Sequence, residues 1–273
     1  METRPVHFAF ASQKGGVGKT TTTINLAAAL AQKGRKVLCI DLDPQSNLSS
    51  CLGFEPDGMP TISELVLHEA APALAGDLSA TMMDCVRHSD EGFDYIPSSL
   101  MLASADVFLA GAMMRETVLR RLVTEIDADQ YDYVLLDCLP SLGVLLTNAL
   151  TAADGLLVPV QAQKLSADGL SQLMMVADQC RKATNPNLKI CGVLVTMVDR
   201  TAMSAAVQEA VRELYKNMVF TTHISRSVSA ANSTNDQHSL VKYAGRTGNA
   251  GKLGREYLAV ADEVIRRMEK EGV

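Results

Sequence analysis

The chain lacks Trp altogether, and Phe and Tyr together supply only 4% of its 273 residues. Gly (18) and Pro (9) are not in excess, which argues against a collagen-like or disordered chain, and no repeat, low-complexity tract or linker breaks the sequence. The six cysteines, Cys39, Cys51, Cys85, Cys138, Cys180 and Cys191, form no C-x-x-C pair, and several lie in apolar runs such as VLCID and KICGVLV. Buried, reduced thiols are expected rather than a disulfide or zinc framework. Long hydrophobic runs are missing as well. The most apolar region, 134–160, is interrupted by Asp137, Pro140, Asn148, Asp154 and Pro159, whereas a membrane span needs about 20 nearly uninterrupted apolar residues. The opening METRPVHFAFASQKGG holds an apolar stretch of about six residues, too short for the core of a signal peptide, so no export is expected and the protein is predicted to be cytoplasmic.

Positive charge is scarce overall: 25 Lys and Arg face 31 Asp and Glu, a net charge of -6. The shortage is uneven. Between Arg181 and Arg255 there are 11 basic residues against 4 acidic ones, so that stretch carries +7 and the remainder -13. Such an asymmetry allows a basic face on an acidic protein, the electrostatic footprint of phosphate-backbone binding; equally, the charges could be a solvated surface that never converges.

What is abundant is alternation. With 47% hydrophobic residues the chain has a core to bury, and short apolar runs alternate with helical periods. Strands are predicted at 7–11, 36–41, 93–97, 131–137, 155–160, 189–197 and 218–224. Helices are predicted at 19–32, within TISELVLHEA, and at 103–126, 142–152, 167–182, 202–216 and 253–270. In TISELVLHEA, Thr61 can cap and Glu64 follows three residues later. YDYVLLD and GLLVPV are nearly continuous apolar runs, as strands buried on both faces require. The pattern predicts an α/β fold with a doubly wound, mostly parallel sheet in one domain spanning 1–273. The last helix carries an apolar stripe of Tyr257, Leu258, Ala261, Val264, Ile265 and Met268; its polar face is of mixed sign, which argues against a membrane anchor.

The segment SQKGGVGKTTTTINLA, 12–27, lies between a predicted strand and a predicted helix. A Gly-rich turn there points successive backbone N–H groups into one concavity, and the helix adds its positive N-terminal end. The phosphates of a nucleotide are expected against Lys14, Gly15, Gly16, Val17, Gly18, Lys19, Thr20 and Thr21, with Lys19 on the β and γ phosphates and Thr20 on Mg²⁺. The ordinary pattern has Gly five positions before Gly18, where this chain has Gln13. Lys14 is a second cation inside the loop. It would be useful if it pointed across an interface to a partner subunit's nucleotide, as an arginine finger does; the alternative is an exposed loop lysine.

Two strands end in carboxylates: VLCIDLDPQ in Asp41 and Asp43, YDYVLLDCLPS in Asp137. Strand C-termini in a parallel sheet converge on the ligand crevice. Asp137 is expected to orient Mg²⁺ through water, Asp43 to polarise the attacking water, and Asp41 to support from behind.

These segments, with LLDCLPSLGVLLTNALTAADGLLVPVQ, YIPSSLMLASADVFL, ADGLSQL and GVLVTMVDRT, resemble the ParA/Soj partition ATPases of the deviant Walker A group, which also includes MinD. The resemblance runs from the first strand to about Arg226. It implies an ATP-sandwich homodimer with Lys14 contacting the nucleotide across the interface. It further implies non-specific binding of double-stranded DNA by the ATP-bound dimer, slow hydrolysis stimulated by a ParB-like partner, and association with the nucleoid. On this resemblance Arg200 and Arg226 correspond to DNA-binding arginines, and Met197 lines the adenine pocket. Leu139 and Ser225-Arg226-Ser227 depart from the usual DCPPS and Pro-Arg-Asn, and 227–255 is only weakly similar. No helix-turn-helix is expected before the loop. Two other readings share the chemistry: a positioner of protein cargo, and a MinD-like membrane-associated regulator of division-site placement. An iron-sulfur reductase would need interface cysteines.

Overall fold

The computed structural model describes residues 4–75, 78–126, 129–163, 167–230, 233 and 236–271. Its sheet contains β1 (Val6–Phe10), β2 (Val37–Leu42), β3 (Arg87–His88), β4 (Asp94–Ile96), β5 (Tyr133–Cys138), β6 (Gly155–Gln161) and β7 (Lys189–Thr196). Their order is β3-β4-β2-β5-β1-β6-β7, all parallel except β3, which runs antiparallel to β4. The helices are α1 (Lys19–Gln32), α2 (Asn47–Cys51), α3 (Ile62–Ala70), α4 (Pro72–Ala75), α5 (Ala105–Gly111), α6 (Val118–Val123), α7 (Val144–Ala152), α8 (Ala167–Ala183), α9 (Ala202–Tyr215) and α10 (Gly248–Glu271).

Strand periodicity divides the core in two. Leu38, Ile40, Val134, Leu136, Leu156, Val158, Val193 and Val195 face one side, packed with residues of α3, α5, α6, α7 and α8. Phe8, Phe10, Cys39, Leu135, Leu157 and Leu194 face the other, beneath Leu26 and Leu30 of α1 and Val260 and Val264 of α10. Each fully buried Leu or Val contributes about 1.5–3 kcal/mol by leaving water, so both sheet faces are covered firmly and the ends of the strands are left for function. The apolar stripe of α10 is spent in this way: Tyr257, Ala261, Val264 and Met268 are buried. Among the described residues no helix is long and apolar enough to cross a membrane.

The capping box expected at Thr61 is present, with the Ser63 amide donating to Thr61 Oγ1 (3.2 Å) and the Thr61 amide to Glu64 Oε2 (2.9 Å). Two expectations are corrected. The helix predicted over 103–126 is broken into α5, α6 and short 3₁₀ turns. Between them Met114 takes a left-handed backbone (φ 51°), and the amide of Leu119 is bound by Asn148 Oδ1 (3.1 Å) rather than by its own helix. The segment 218–224 is no strand and makes only isolated bridges beside β7. Glu263 of α10 accepts hydrogen bonds from the amides of Thr221 (2.9 Å) and Thr222 (3.2 Å), removing donors that a strand ladder would use. The short antiparallel β3 had no sequence signal of its own.

Candidate nucleotide site

The loop between β1 and α1 is shaped by two left-handed residues, Gly16 (φ 69°) and Gly18 (φ 87°), which a side chain would strain. α1 starts at Lys19 with no side-chain cap and no acidic residue in its first turn. Its first amides are therefore left for an anion, and the space a side chain would occupy at Gly15 and Gly16 is open. Val17 is turned inward, and its carbonyl accepts from Thr196 Oγ1 (2.8 Å), fastening the loop to the end of β7. Thr21 lies one residue further round α1, its carbonyl accepting from Asn25 Nδ2 (2.7 Å).

Sheet register brings the carboxylates to this loop. Asp137 stands beside Phe10 in β1 and beside Asp41 in β2. It is wholly buried and accepts from Thr20 Oγ1 (2.6 Å) and Thr23 Oγ1 (3.1 Å). Asp41, also wholly buried, accepts from the Ser49 amide (2.9 Å), Ser49 Oγ (2.7 Å) and the Asp43 amide (3.1 Å). It thereby sets the backbone from which Asp43 projects. Asp43 Oδ1 accepts from the Gln45 amide (2.9 Å); among the described residues Oδ2 has no hydrogen-bond partner. Lys19 is 7% exposed, and its ammonium makes no hydrogen bond or ion pair among the described residues.

Burial governs the electrostatics. It pushes the Asp137 carboxyl up to about 7, aided by the charge of Asp41 and opposed by Thr20 and Lys19. It raises Asp41 to about 6 against the hydrogen bonds from Ser49. It lowers Lys19, while Asp137 pulls the other way. Two buried carboxylates and one desolvated ammonium beside the open loop form a site of perturbed charges. A carboxyl raised in the folded state destabilises the fold when ionised above its folded pKa, and the fold gains stability as pH falls through about 7 toward 4. Asp137→Asn is therefore expected to raise the nucleotide-free Tm near pH 8, by about 2–4 °C for each kcal/mol relieved, and to lose the parent's extra gain on acidification. Thermal unfolding of both proteins at about pH 8 and about pH 5.5 checks this; a variant less stable at both would contradict the burial argument.

Lys14 is half-buried, and its Nζ donates to Gln161 Oε1 at the end of β6 (3.0 Å). Met197 follows β7 in the left-handed region (φ 54°), with its methyl 4.0 Å from where a side chain at Gly18 would begin. Arg200 is exposed. Arg226 lies across from it, its amide donating to the Val198 carbonyl (2.8 Å) and its guanidinium 3.8 Å from Asp199 Oδ2. Lys19, Thr20, Asp41, Asp43 and Asp137 thus gather at one end of the sheet. Met197, Arg200 and Arg226 gather around the neighbouring end of β7.

The sequence profile of the AAA domain family matches residues 7–190. The sporulation initiation inhibitor protein Soj of Bacillus subtilis is 37% identical over 259 residues, covering 94% of this chain and 96% of Soj. The chromosome-partitioning ATPase Soj of Thermus thermophilus is 38% identical over 263 residues, 96% of each. The chain belongs to the ParA/Soj family of partition ATPases. The fold agrees: cobyrinic acid a,c-diamide synthase from Mycobacterium smegmatis superposes with a TM-score of 0.80 at 34% identity, over 98% of this chain and 97% of that one. That enzyme was solved with ADP and magnesium and with an ATP analogue and magnesium.

The chain is accordingly an ATPase of the ParA/Soj type, and the groups its site has to fit are ATP and Mg²⁺. Its residues suit both. The open, uncapped α1 terminus and the buried Lys19 match a polyphosphate, and the Thr20 hydroxyl and, through water, the Asp137 carboxylate would offer the hard oxygen donors that Mg²⁺ takes. Sequence reasoning missed Thr23 and Ser49. The spacing of Thr20 and Thr23 in KTTTT places them on one helix face, a signal that could have been read. Ser49 reaches Asp41 only because α2 folds back over β2, and no spacing announces that.

Proposed function

We propose that Mg-ATP drives this partition ATPase into a sandwich homodimer that binds double-stranded DNA without sequence preference and coats the nucleoid. A ParB-like centromere-binding partner then stimulates hydrolysis and releases it. The observation that carries this reading is that the nucleotide loop and the basic residues are fastened to the same few residues. Thr196 holds the Val17 carbonyl, and two residues on Val198 pairs with the backbone of Arg226, with Arg200 two residues further along the chain. A shift of the loop on nucleotide binding reaches the arginines through one short, well-bonded segment.

Within the site, the amides of Gly15 to Thr21 and Lys19 hold the phosphates. Thr20 and, through water, Asp137 would hold Mg²⁺, which would supply charge neutralisation at the phosphates. Asp43 offers its free Oδ2 to the attacking water, on a backbone held by Asp41. Lys14 reaches the partner subunit's nucleotide and offsets charge in the transition state. Met197 lies against the base. Burial of the α10 stripe supports DNA rather than a lipid surface as the track.

Binding to non-specific duplex DNA with ATP, ADP or no nucleotide, at two salt concentrations, tests this reading. Binding is expected with ATP only. In the Arg200→Ala, Arg226→Ala double variant it should weaken, and the salt slope should fall by about 0.9 for each phosphate no longer neutralised. Equal binding in all nucleotide states, or a double variant that binds like the parent, would overturn it.

A further inference from the structure

Lys14 is not idle in the single subunit. Its ammonium donates to Gln161 Oε1 (3.0 Å), Gln161 Nε2 donates to Gln163 Oε1 (3.1 Å), and Gln163 Nε2 donates to Asp199 Oδ2 (3.4 Å). The direction of this chain is fixed at both ends. An ammonium can only donate and an ionised carboxylate can only accept, so each amide between them has one allowed orientation. Asp199 is itself immobilised at the start of α9: its Oδ1 accepts from the Thr201 amide (3.1 Å), and its own amide donates to Ser204 Oγ (3.2 Å). The acceptor that meets Lys14 is a neutral amide, and among the described residues no carboxylate lies within 4.0 Å of its ammonium. Such a bond holds a cation in place but yields to a triphosphate, where an ion pair would compete more strongly.

We infer that Gln161, oriented by Gln163 and Asp199, is a latch that holds Lys14 on its own subunit until a partner's nucleotide draws it away. This rests on the reading of Lys14 as a residue that acts across the dimer interface. Gln161 and Gln163 are then positioning residues that set the threshold for dimerisation. Closing the dimer costs the latch bond in each subunit, so weakening the latch favours the dimer.

The test uses the full chain with Gln161→Leu, Gln163→Leu and Lys14→Ala. Two readouts are taken: modification of Lys14 by an amine-reactive reagent in the nucleotide-free protein, followed by mass spectrometry, and the dimer dissociation constant by sedimentation with Mg²⁺ and a non-hydrolysable ATP analogue. Gln161→Leu is expected to speed Lys14 modification and tighten the dimer by about tenfold to a hundredfold, because each of the two subunits gives up a partly exposed hydrogen bond worth about threefold to tenfold. Gln163→Leu should move both readouts the same way but less, although it does not touch Lys14. Thermal unfolding of each variant separates this from a folding defect, which would weaken the dimer instead. If neither glutamine variant changes Lys14 reactivity or dimerisation while Lys14→Ala abolishes the dimer, the latch is wrong and the interfacial reading stands. If Lys14→Ala dimerises and hydrolyses like the parent, the interfacial reading falls and the latch falls with it.

Discussion

Replacing Lys14 by Ala is expected to lower ATP turnover by about 10³-fold or more, the scale of removing a cation that neutralises charge at a transferring phosphoryl group. ATP binding to the single subunit should survive, because the α1 amides, Lys19, Thr20 and Asp137 are untouched. The asymmetry follows from where the ammonium sits. It is turned to Gln161 at the end of β6, whereas Lys19 is buried beneath the loop. Lys14 therefore has little to add to its own site and most to add elsewhere. Calorimetric ATP titration beside a steady-state phosphate-release assay separates the two effects. Turnover equal to the parent's would remove Lys14 from the chemistry.

Asp43→Ala should lower turnover by about 10²–10⁴-fold, the usual worth of a positioned acid or base. ATP-dependent dimerisation should persist. Asp43 contributes no bond to the loop or to Thr20. Its partners are the Gln45 amide and, in the turn that follows, the Ser46 amide on its carbonyl (2.8 Å). Removing the side chain leaves the Asp41 network intact, since Asp41 grips the backbone amide at 43 rather than the carboxylate. The dimer should then accumulate in the ATP state. The same phosphate-release assay with sedimentation reads both properties, and a variant that hydrolyses at the parental rate would exclude Asp43 from the water-activating role.

Much of this fold was legible because its local signals agree. Apolar runs of strand length alternate with helical periods, and α1 coincides with the segment read from KTTTTINLAAALAQ. The carboxylates were legible for a topological reason: in a parallel sheet, residues at strand C-termini meet, and register sets Asp41 against Asp137. Tertiary contacts hid the rest. Asn148 takes an amide that the helix predicted over 103–126 would have kept, and Glu263 takes amides that a strand at 218–224 would have kept. Each is a side chain distant in sequence, beyond the reach of any local pattern. Gln161 went unread for the same reason. It precedes no motif of its own, and only the adjacency of β1 and β6 brings it to Lys14. The +7 stretch was legible as composition, but its scattering over α8, β7 and the turn after it, α9, the segment at Arg226 and α10 required the fold.

The most direct test of the nucleotide-bridged dimer mixes two inactive variants, Lys14→Ala and Asp43→Ala, and measures ATP turnover. If Lys14 acts across the interface, each mixed dimer contains one complete site: the Lys14→Ala subunit keeps its own Asp43 and receives Lys14 from its partner. Turnover is then restored on mixing, well above the sum of the separate proteins. If Lys14 serves only its own subunit, every site in the mixture lacks one residue or the other. Turnover that stays at the background of the two variants, with mixed dimers present, would contradict the account.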